Sequence, residues 1–544
     1  MKKEIEKFVL QNAIKFKGKA NPGAIIGQLF QIDPNLKEKA KELSKDISEI
    51  VKEVNKLSLE EQTARLQKIA PELLEKKEKK KRELPELEHV KGTVITRIPP
   101  EPSKYPHIGH ALSFLINFMY TQKYKGKCVL RLDDTNPEKA KKEYYQAVYD
   151  GLLWLGIKVD KTIIASNEMD QFYHHAEKLI ENEQAYVCFC DREKMSHYRT
   201  NSMICEHREQ NARQTMEHWK ELFTEKIKQG EAVLRLKADM DSLNAVMRDP
   251  VLFRISEHEH PMQGKKYRVW PMYDFETAIA EEFSGVTHIL RSSEFGKMRV
   301  ELQDYIKDLL GFKKQEVKQY GRFNVVGAVT KGREIRAMIE KGEVEGWDDP
   351  RLVTLMALKR RGIVPETMYD LVLEAGMSSN ATNIDWSVIA SINRKIIDPI
   401  TKRYLFVENP KIIEVENSLK EIVIPLHPDN KELGSKKVET GEKFYVGDKI
   451  EPDKHYRFMH LFNFINKKYE STEYDPQLKA KIIHCVPAKN SVDVKVLMND
   501  GTILEGKGEK SLNNLEEGEI VQFERRFFCR LDNKKEMLFV YAHD

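Results

Sequence analysis

At 544 residues the chain is too long for a single core, and length alone predicts roughly three to five domains. Hydrophobic residues at 40% and charged residues at 32% describe a globular protein rich in surface ion pairs, and no apolar run approaches membrane-spanning length. A net charge of only +4 excludes a global basic field, so any nucleic-acid site must be a local patch.

The start, Met1-Lys2-Lys3-Glu4, lacks the apolar core of a signal peptide, so a cytoplasmic location with no membrane partner is expected. Six cysteines in so long a chain do not make a disulfide framework, and their clustering matters more than their number. Residues 1–90 have the apolar spacing of amphipathic helices and are expected to form a helical extension. Leu57-Ser58-Leu59-Glu60-Glu61-Gln62 predicts a helix start, with Ser58 as N-cap and Glu61 completing a capping box. The run from Lys76 to Arg82 is read as a solvated helix end or linker, with contact to RNA phosphates as the alternative.

From Lys91 short apolar runs alternate with helical patterns, as a doubly wound α/β sheet requires, and 91–184 is taken as the first half of that domain. The β-type run Gly92-Thr93-Val94-Ile95-Thr96 leads into Arg97-Ile98-Pro99-Pro100-Glu101-Pro102-Ser103-Lys104-Tyr105-Pro106-His107-Ile108-Gly109-His110 and then a helical pattern, Ala111 to Ile116. Strand, Pro-rich turn and helix start make a phosphate seat, because the first turn of a helix offers free N–H groups and a positive dipole end. Gly109 is expected to admit close approach of a ligand, and His107 and His110 to donate to a triphosphate and its leaving pyrophosphate. The alternative is a pair of capping histidines beside a tight turn. Cys128 to Leu132 reads as a buried strand with Asp133-Asp134-Thr135-Asn136-Pro137 at its carboxyl end, where open α/β sheets bind ligands. Those carboxylates can hold a substrate ammonium, or Asp134 and Thr135 can cap the next helix.

Residues 185–266 read as an insertion. Cys188-Phe189-Cys190 and Cys205-Glu206-His207 supply three thiolates and one imidazole, the ligand set of a closed zinc site; a chance pair of thiol clusters is the alternative. Tyr267 to Phe275 returns the chain to the catalytic sheet, whose second half and a mobile loop are assigned to 267–345. Gly285 to Arg291 is another strand ending in polar groups. A helical region is expected over 346–403, where Lys359-Arg360-Arg361 can meet a phosphate backbone, and 404–544 reads as all-β, one or two barrels.

Four stretches carry a resemblance: Arg97 to His110, Leu130 to Pro137, Trp270-Pro271-Met272-Tyr273-Asp274-Phe275 and Gly346-Trp347-Asp348-Asp349-Pro350-Arg351. In this order they resemble class I aminoacyl-tRNA synthetases of the glutamyl/glutaminyl branch, and within it the archaeal-type glutamyl enzymes, along most of the chain. The resemblance implies a multidomain α/β protein with a Rossmann-like catalytic domain, an inserted acceptor-end domain, a helical tRNA-stem region and a β-barrel anticodon region. It implies ATP-dependent activation of L-glutamate, with Mg²⁺ accompanying ATP, and transfer to tRNA-Glu by a monomer; tRNA-Gln as a second acceptor stays open. Pro99, Glu101, Ser103, His107, Gly109, His110 and Lys331 then fall to ATP, with His107, His110, Lys331 and Arg333 catalytic. Arg97 falls to the substrate's side-chain carboxylate, Asp133 to its ammonium, and Tyr273, Thr277 and Arg291 to the same pocket. Cys188, Cys190, Cys205 and His207 fall to a structural zinc near the acceptor end.

Two departures mark this chain. The second class motif is a loop whose lysine helps neutralise the triphosphate. Counting back from Gly346-Trp347 puts Gly332 at that position, and a one-residue shift restores Lys331. Lys104 stands where the family has glycine, either adding a phosphate contact or obstructing the site. A glutaminyl enzyme, a tRNA-binding paralogue with a decayed catalytic loop, and an unrelated nucleotidyltransferase are the rival readings.

Overall fold

A computed structural model describes residues 2–16, 18–32, 40–73 and 82–544. Most of the charged run that starts at Lys76 therefore lies outside the described residues. The chain forms two compact units, residues 1–82 and 83–544.

The first unit is helical, with α1 (Lys2–Lys15), α2 (Pro22–Ile32), α3 (Ala40–Val54) and α4 (Leu59–Ile69). Val9, Leu10, Ile25, Ile47, Val51 and Leu66 close its core. Ser58 and Glu61 form the expected capping box at the start of α4. Three amides pin the α1–α2 connection: Asn12 accepts from Asn21 N at 2.9 Å, Asn55 from Ala20 N at 2.7 Å, and Gln62 donates to Gly18 O at 3.0 Å.

The second unit begins with a parallel α/β half. β1 (Ile95–Ile98), α5 (Ile108–Lys123), β2 (Lys127–Leu132), α6 (Lys142–Trp154) and β3 (Lys161–Ile164) alternate, and the strands pair parallel in the order β1-β2-β3. Strand β1 starts later than its apolar run suggested and carries Arg97 inside it. Helix α7 (Met169–Glu181) precedes the insertion, an antiparallel sheet of β4 (Ala185–Cys188), β5 (Val233–Leu236), β6 (Val251–Ile255) and β7 (Val269–Pro271), with α8 (Arg192–Thr200) and α9 (Ala212–Leu222) between its first two strands. The segment read as returning to the catalytic sheet is thus the edge of the insertion's sheet: Val269 to Pro271 pair with β6, and the return comes with the next helix.

That helix is α10 (Tyr273–Phe283), followed by β8 (His288–Ser292), α11 (Gly296–Leu310), β9 (Glu316–Tyr320), β10 (Phe323–Val325) and α12 (Gly332–Glu340). β8 pairs parallel with β9, and it is tied to β1 through Thr287, whose N–H donates to Ile95 O at 2.9 Å while its hydroxyl accepts from Ile95 N at 2.8 Å. Helices α13 (Leu355–Arg360), α14 (Pro365–Ala375) and α15 (Trp386–Ile397), with β11 (Thr382–Ile384) paired to β10, make the helical region.

The remainder is β structure, as expected, but not a closed barrel. Its largest sheet has seven strands whose edges are Arg403–Tyr404 and Phe406–Glu408. These edges are neighbours in sequence, separated by Leu405 alone, so chain continuity joins them and no hydrogen-bonded ladder does. Gly501, at φ +88°, makes the tight turn at the expected Asn499-Asp500-Gly501. Arg360 and Arg361 are committed internally: Arg360 makes a forked pair with Asp532, and Arg361 donates to Ala542 O at 2.8 Å with its guanidinium 3.9 Å from the Trp386 ring centre. Of that basic trio Lys359 alone is exposed. Among the described residues no helix is long and apolar enough to cross a membrane.

Candidate active site

The Pro-rich turn is clamped from three sides. Pro100 O accepts from Asp133 N at 3.1 Å, Pro106 O from Leu355 N at 2.9 Å, and Ile108 N donates to Val353 O at 3.0 Å. Tyr105 stacks on Trp347 with ring centres 5.0 Å apart and meets Tyr144 edge-on. The Gly346 to Arg351 motif thus serves as the outer wall of the turn. Ser103 donates to Glu101, whose carboxylate also lies 3.7 Å from Lys139.

His107 caps α5 through its ring: Nδ1 accepts from Gly109 N at 3.1 Å, and His110 Nδ1 accepts from His107 N at 3.2 Å. With Nδ1 of both rings used as acceptor, the proton of each neutral imidazole sits on Nε2, which becomes the free donor. The capping and phosphate readings of these histidines are therefore both satisfied. Burial, then the neighbouring charges, pushes both rings down, His110 to about 3, so both are neutral at pH 7. Gly109 sits against the His107 ring. A Cβ there would lie 3.0 Å from His107 Cε1, so glycine makes room for the histidine ring.

Beyond β1 lies a group of buried charges. Arg97 Nε donates to Glu281 at 3.1 Å and its Nη1 to Leu290 O at 3.1 Å, which uses two of the five guanidinium N–H groups. Glu281 also meets Lys307 at 3.4 Å. Burial alone would raise its pKa; Arg97, Lys307, Arg131 and Arg291 together outweigh that and hold it below the usual range. Asp133 is held in a fork by Arg131, at 2.6 and 2.9 Å. Burial pushes the Tyr273 phenol up to about 12, and the same site feels the charges of Arg291, Asp133, Arg97 and Glu281. The structure therefore brings Arg97, Asp133, Tyr273 and Arg291 together. Arg291 donates to Gln303 at 2.9 Å. Thr277 is fully buried beside them in the first turns of α10, and its hydroxyl has no hydrogen-bond partner.

Neither Asp134 nor Thr135 caps the next helix, whose N-cap residue is Lys141; Asp134 is tied into the core instead. Its carboxylate accepts from Ser166 N at 2.7 Å, from Ser166 Oγ at 2.8 Å and from the Tyr145 hydroxyl at 2.7 Å. Thr135 donates to Glu276, a buried carboxyl that sequence reasoning did not single out. Burial, then the charge of Asp133, holds Glu276 well above the usual carboxylate range. Glu276 Oε1 and Arg131 Nη1 are also buried without a hydrogen-bond partner. Polar atoms left open in a core mark a seat for water or a polar ligand. The sequence signal for Glu281 was an acidic residue in an apolar helix face, Ala278-Ile279-Ala280-Glu281.

The Lys331 and Arg333 side chains are exposed, although Gly332 between them packs on Lys104 of the turn. Lys331 is the N-cap residue of α12 and pairs with Glu334 at 2.9 Å, its side chain 70% exposed, and Arg333 is exposed on the first turn. Arg336 is the basic residue of α12 that reaches inward, 3.4 Å from both Ser103 O and the Tyr144 hydroxyl.

Cys188, Cys190, Cys205 and His207 converge at the end of β4, their ligand atoms all within 4.8 Å of one another. Cys205 Sγ lies 3.6 Å from Cys188 Sγ, 3.4 Å from Cys190 Sγ and 3.3 Å from His207 Nδ1. Those are the edges of a tetrahedron around an ion with bonds of about 2.0–2.3 Å, so the donors fit zinc. Arg235, fully buried, approaches Cys188 Sγ at 3.8 Å and would offset the surplus negative charge of three thiolates on a divalent ion.

The family described as tRNA synthetases class I (E and Q), catalytic domain, matches residues 93–399. Two anticodon-binding-domain families of the same class match 401–486 and 467–532. A protein named glutamate–tRNA ligase from Methanococcus maripaludis strain C5 is 38% identical over 546 residues, 98% of each chain. One of the same name from Pyrococcus abyssi is 39% identical over 566 residues, 99% of this chain and 98% of that one. A crystal structure of a glutamate tRNA ligase from Elizabethkingia meningosepticum, in complex with its amino acid, aligns with 56% of this chain and 70% of its own, at 17% identity and a TM-score of 0.41.

Proposed function

This chain belongs to the class I tRNA synthetases of the E and Q branch, and from that premise we propose that it is a glutamate–tRNA ligase. The observation that carries the reading is the match along almost the whole chain to proteins of that name. The buried charges give it a physical basis. Arg97, Lys307, Arg131 and Arg291 keep the buried Glu281 ionised, and Arg97 commits only two of its guanidinium N–H groups, to Glu281 and Leu290 O. An anionic side chain gives the remaining Arg97 N–H groups charge-assisted partners, which a neutral side chain does not.

In the first step an oxygen of the glutamate α-carboxylate attacks the α-phosphorus of ATP. The bond to the bridging oxygen breaks, and its electron pair leaves with pyrophosphate. Nε2–H of His107 and of His110 donate to the phosphates, and the N-terminus of α5 adds its dipole. Pro99, Glu101, Ser103 and Gly109 shape the turn against the nucleotide. Arg97 takes the side-chain carboxylate with its remaining N–H groups, Asp133 takes the ammonium, and Tyr273, Thr277 and Arg291 close the pocket. Mg²⁺ comes with the nucleotide, bound through phosphate oxygens. In the second step a hydroxyl of the tRNA's terminal ribose attacks the adenylate carbonyl and AMP leaves. The insertion serves the acceptor end and the C-terminal β region the anticodon loop, whose splayed bases such sheets suit. Charging of tRNA with labelled glutamate tests this: the label should enter tRNA in an alkali-labile ester, and absence of charging would overturn the reading.

Zinc held by Cys188, Cys190, Cys205 and His207 anchors the insertion. About one zinc per chain should survive washing with a weak chelator. Cys205→Ser should lose the metal, loosen the insertion to proteolysis between β4 and β5, and depress charging more than adenylate formation. Metal-free wild-type protein with full charging would rule the site out.

A further inference from the structure

The two departures of this chain meet in space. Lys104 lies over Gly332: a Cβ built on that glycine would sit 3.1 Å from Lys104 Cβ and 3.2 Å from its Cδ. Positions 104 and 332 thus share one volume, which holds one long side chain and not two. The basic residue there comes from the Pro-rich turn, and α12 provides the bare backbone it lies on.

The surroundings say where its charge acts. Lys104 belongs to the clamped turn, three residues before the N-cap His107 and so beside the phosphate seat, and its charge acts on both His107 and His110. Its own pKa is lowered by burial, opposed by Glu101 and Glu294 and reinforced by Arg322 and Arg336. The two histidines are neutral and contribute dipoles but no formal charge. Lys331 is tied to Glu334 and turned outward, while Arg322 is paired with Glu294 at 2.7 Å. A triphosphate arriving at the start of α5 meets Lys104 as a half-buried ammonium, where a charge acts more strongly than at the surface.

We propose that Lys104 is a catalytic residue of adenylate formation, its ammonium contacting the triphosphate and stabilising the charge that collects on the departing pyrophosphate. Gly332 is the companion that makes room for it. The lysine stays protonated throughout; it gives no proton and forms no covalent bond. The charges of Glu101 and Glu294 favour the protonated form of the lysine. This rests on the ligase reading above.

The experiment is glutamate-dependent ATP–pyrophosphate exchange, in the presence of tRNA, on wild type, Lys104→Met, Lys104→Arg, Lys104→Gly, and Lys104→Gly combined with Gly332→Lys. Methionine keeps the stem over Gly332 and removes only the charge, so the fold is preserved and thermal unfolding checks that it is. Lys104→Met should lose about 10²-fold in kcat with little change in KM for ATP, the mark of a contact made in the transition state. Lys104→Arg should keep most of the activity. The double variant, which returns the cation from the other side of the same space, should recover at least about tenfold over Lys104→Gly, roughly 1.4 kcal/mol of barrier. Lys104→Met within a factor of about two of wild type would overturn the inference, since a lost donor costs far more. So would a double variant no better than Lys104→Gly, which would leave Lys104 a packing residue only. Wild type without glutamate-dependent exchange would instead overturn the ligase reading, and this inference with it.

Discussion

Replacing His110 with alanine should slow glutamate-dependent exchange by roughly 10²–10³-fold and leave tRNA affinity near wild type. The ring has two tasks. Nδ1 accepts from His107 N and steadies the start of α5, while Nε2–H is the donor left for phosphate. Losing the first costs about 0.5–2 kcal/mol of stability, as for other helix caps. Losing the second removes a donor aimed at developing charge, and that term dominates the rate. Because burial holds both histidines below the usual range, each stays neutral in the ATP-free enzyme from pH 6 to 8. kcat/KM for ATP should therefore show no titration near 6.5 from either ring. A rate that falls through that midpoint as pH rises would mean an imidazolium does the work. The same burial sets a stability trend. Below about pH 6.5 the unfolded chain takes up protons that these rings refuse, so stability falls as pH falls.

Arg97→Gln should abolish most glutamate activation, about 2–5 kcal/mol or roughly 30- to 4,000-fold, while ATP binding changes little. The structure adds a second consequence. Arg97 is 1% exposed and shares Glu281, itself fully buried, with Lys307. Removing the arginine strands part of that carboxylate's charge, and breaking a buried pair in this way costs about 3–5 kcal/mol. The single variant should unfold at a lower temperature. Arg97→Lys keeps a cation beside Glu281 and should restore most of the lost stability, while losing the planar guanidinium's hold on the side-chain carboxylate and with it most of the glutamate activation. Recovery of activation along with stability would make Arg97 a structural residue and move the carboxylate-binding role elsewhere.

The residues that sequence reading found are those whose chemistry is local. His107 and His110 lie within one turn of a helix start, Cys188 and Cys190 flank one residue, and Ser58 and Glu61 cap their own helix. Asp133 follows a buried strand, where ligands of such sheets collect. What stayed hidden depends on residues far apart in sequence. Arg97 meets Glu281 only because β1 and α10 pack together. Arg360 and Arg361 looked available for a phosphate backbone until the C-terminal sheet supplied Asp532 and Ala542 O. One open edge of the last sheet is a strand two residues long, Arg403–Tyr404, too short for any periodicity to show. Val269 to Pro271 was misplaced for a related reason: a three-residue apolar run does not reveal which sheet it joins. Lys104 and Gly332 each read as an oddity alone, and their meaning lies in their contact.

The choice of amino acid is the most direct test of the central claim. Exchange of pyrophosphate into ATP should be measured with wild-type protein and tRNA, at matched concentrations of glutamate and of glutamine. Glutamine offers an amide NH₂ to the Arg97 guanidinium, donor against donor, and supplies no charge to pair with it. A site that must leave a buried charge unpaired should discriminate by several orders of magnitude, about 10⁴-fold or more in kcat/KM. The account predicts strong exchange with glutamate and almost none with glutamine. Exchange that is faster with glutamine than with glutamate would contradict it.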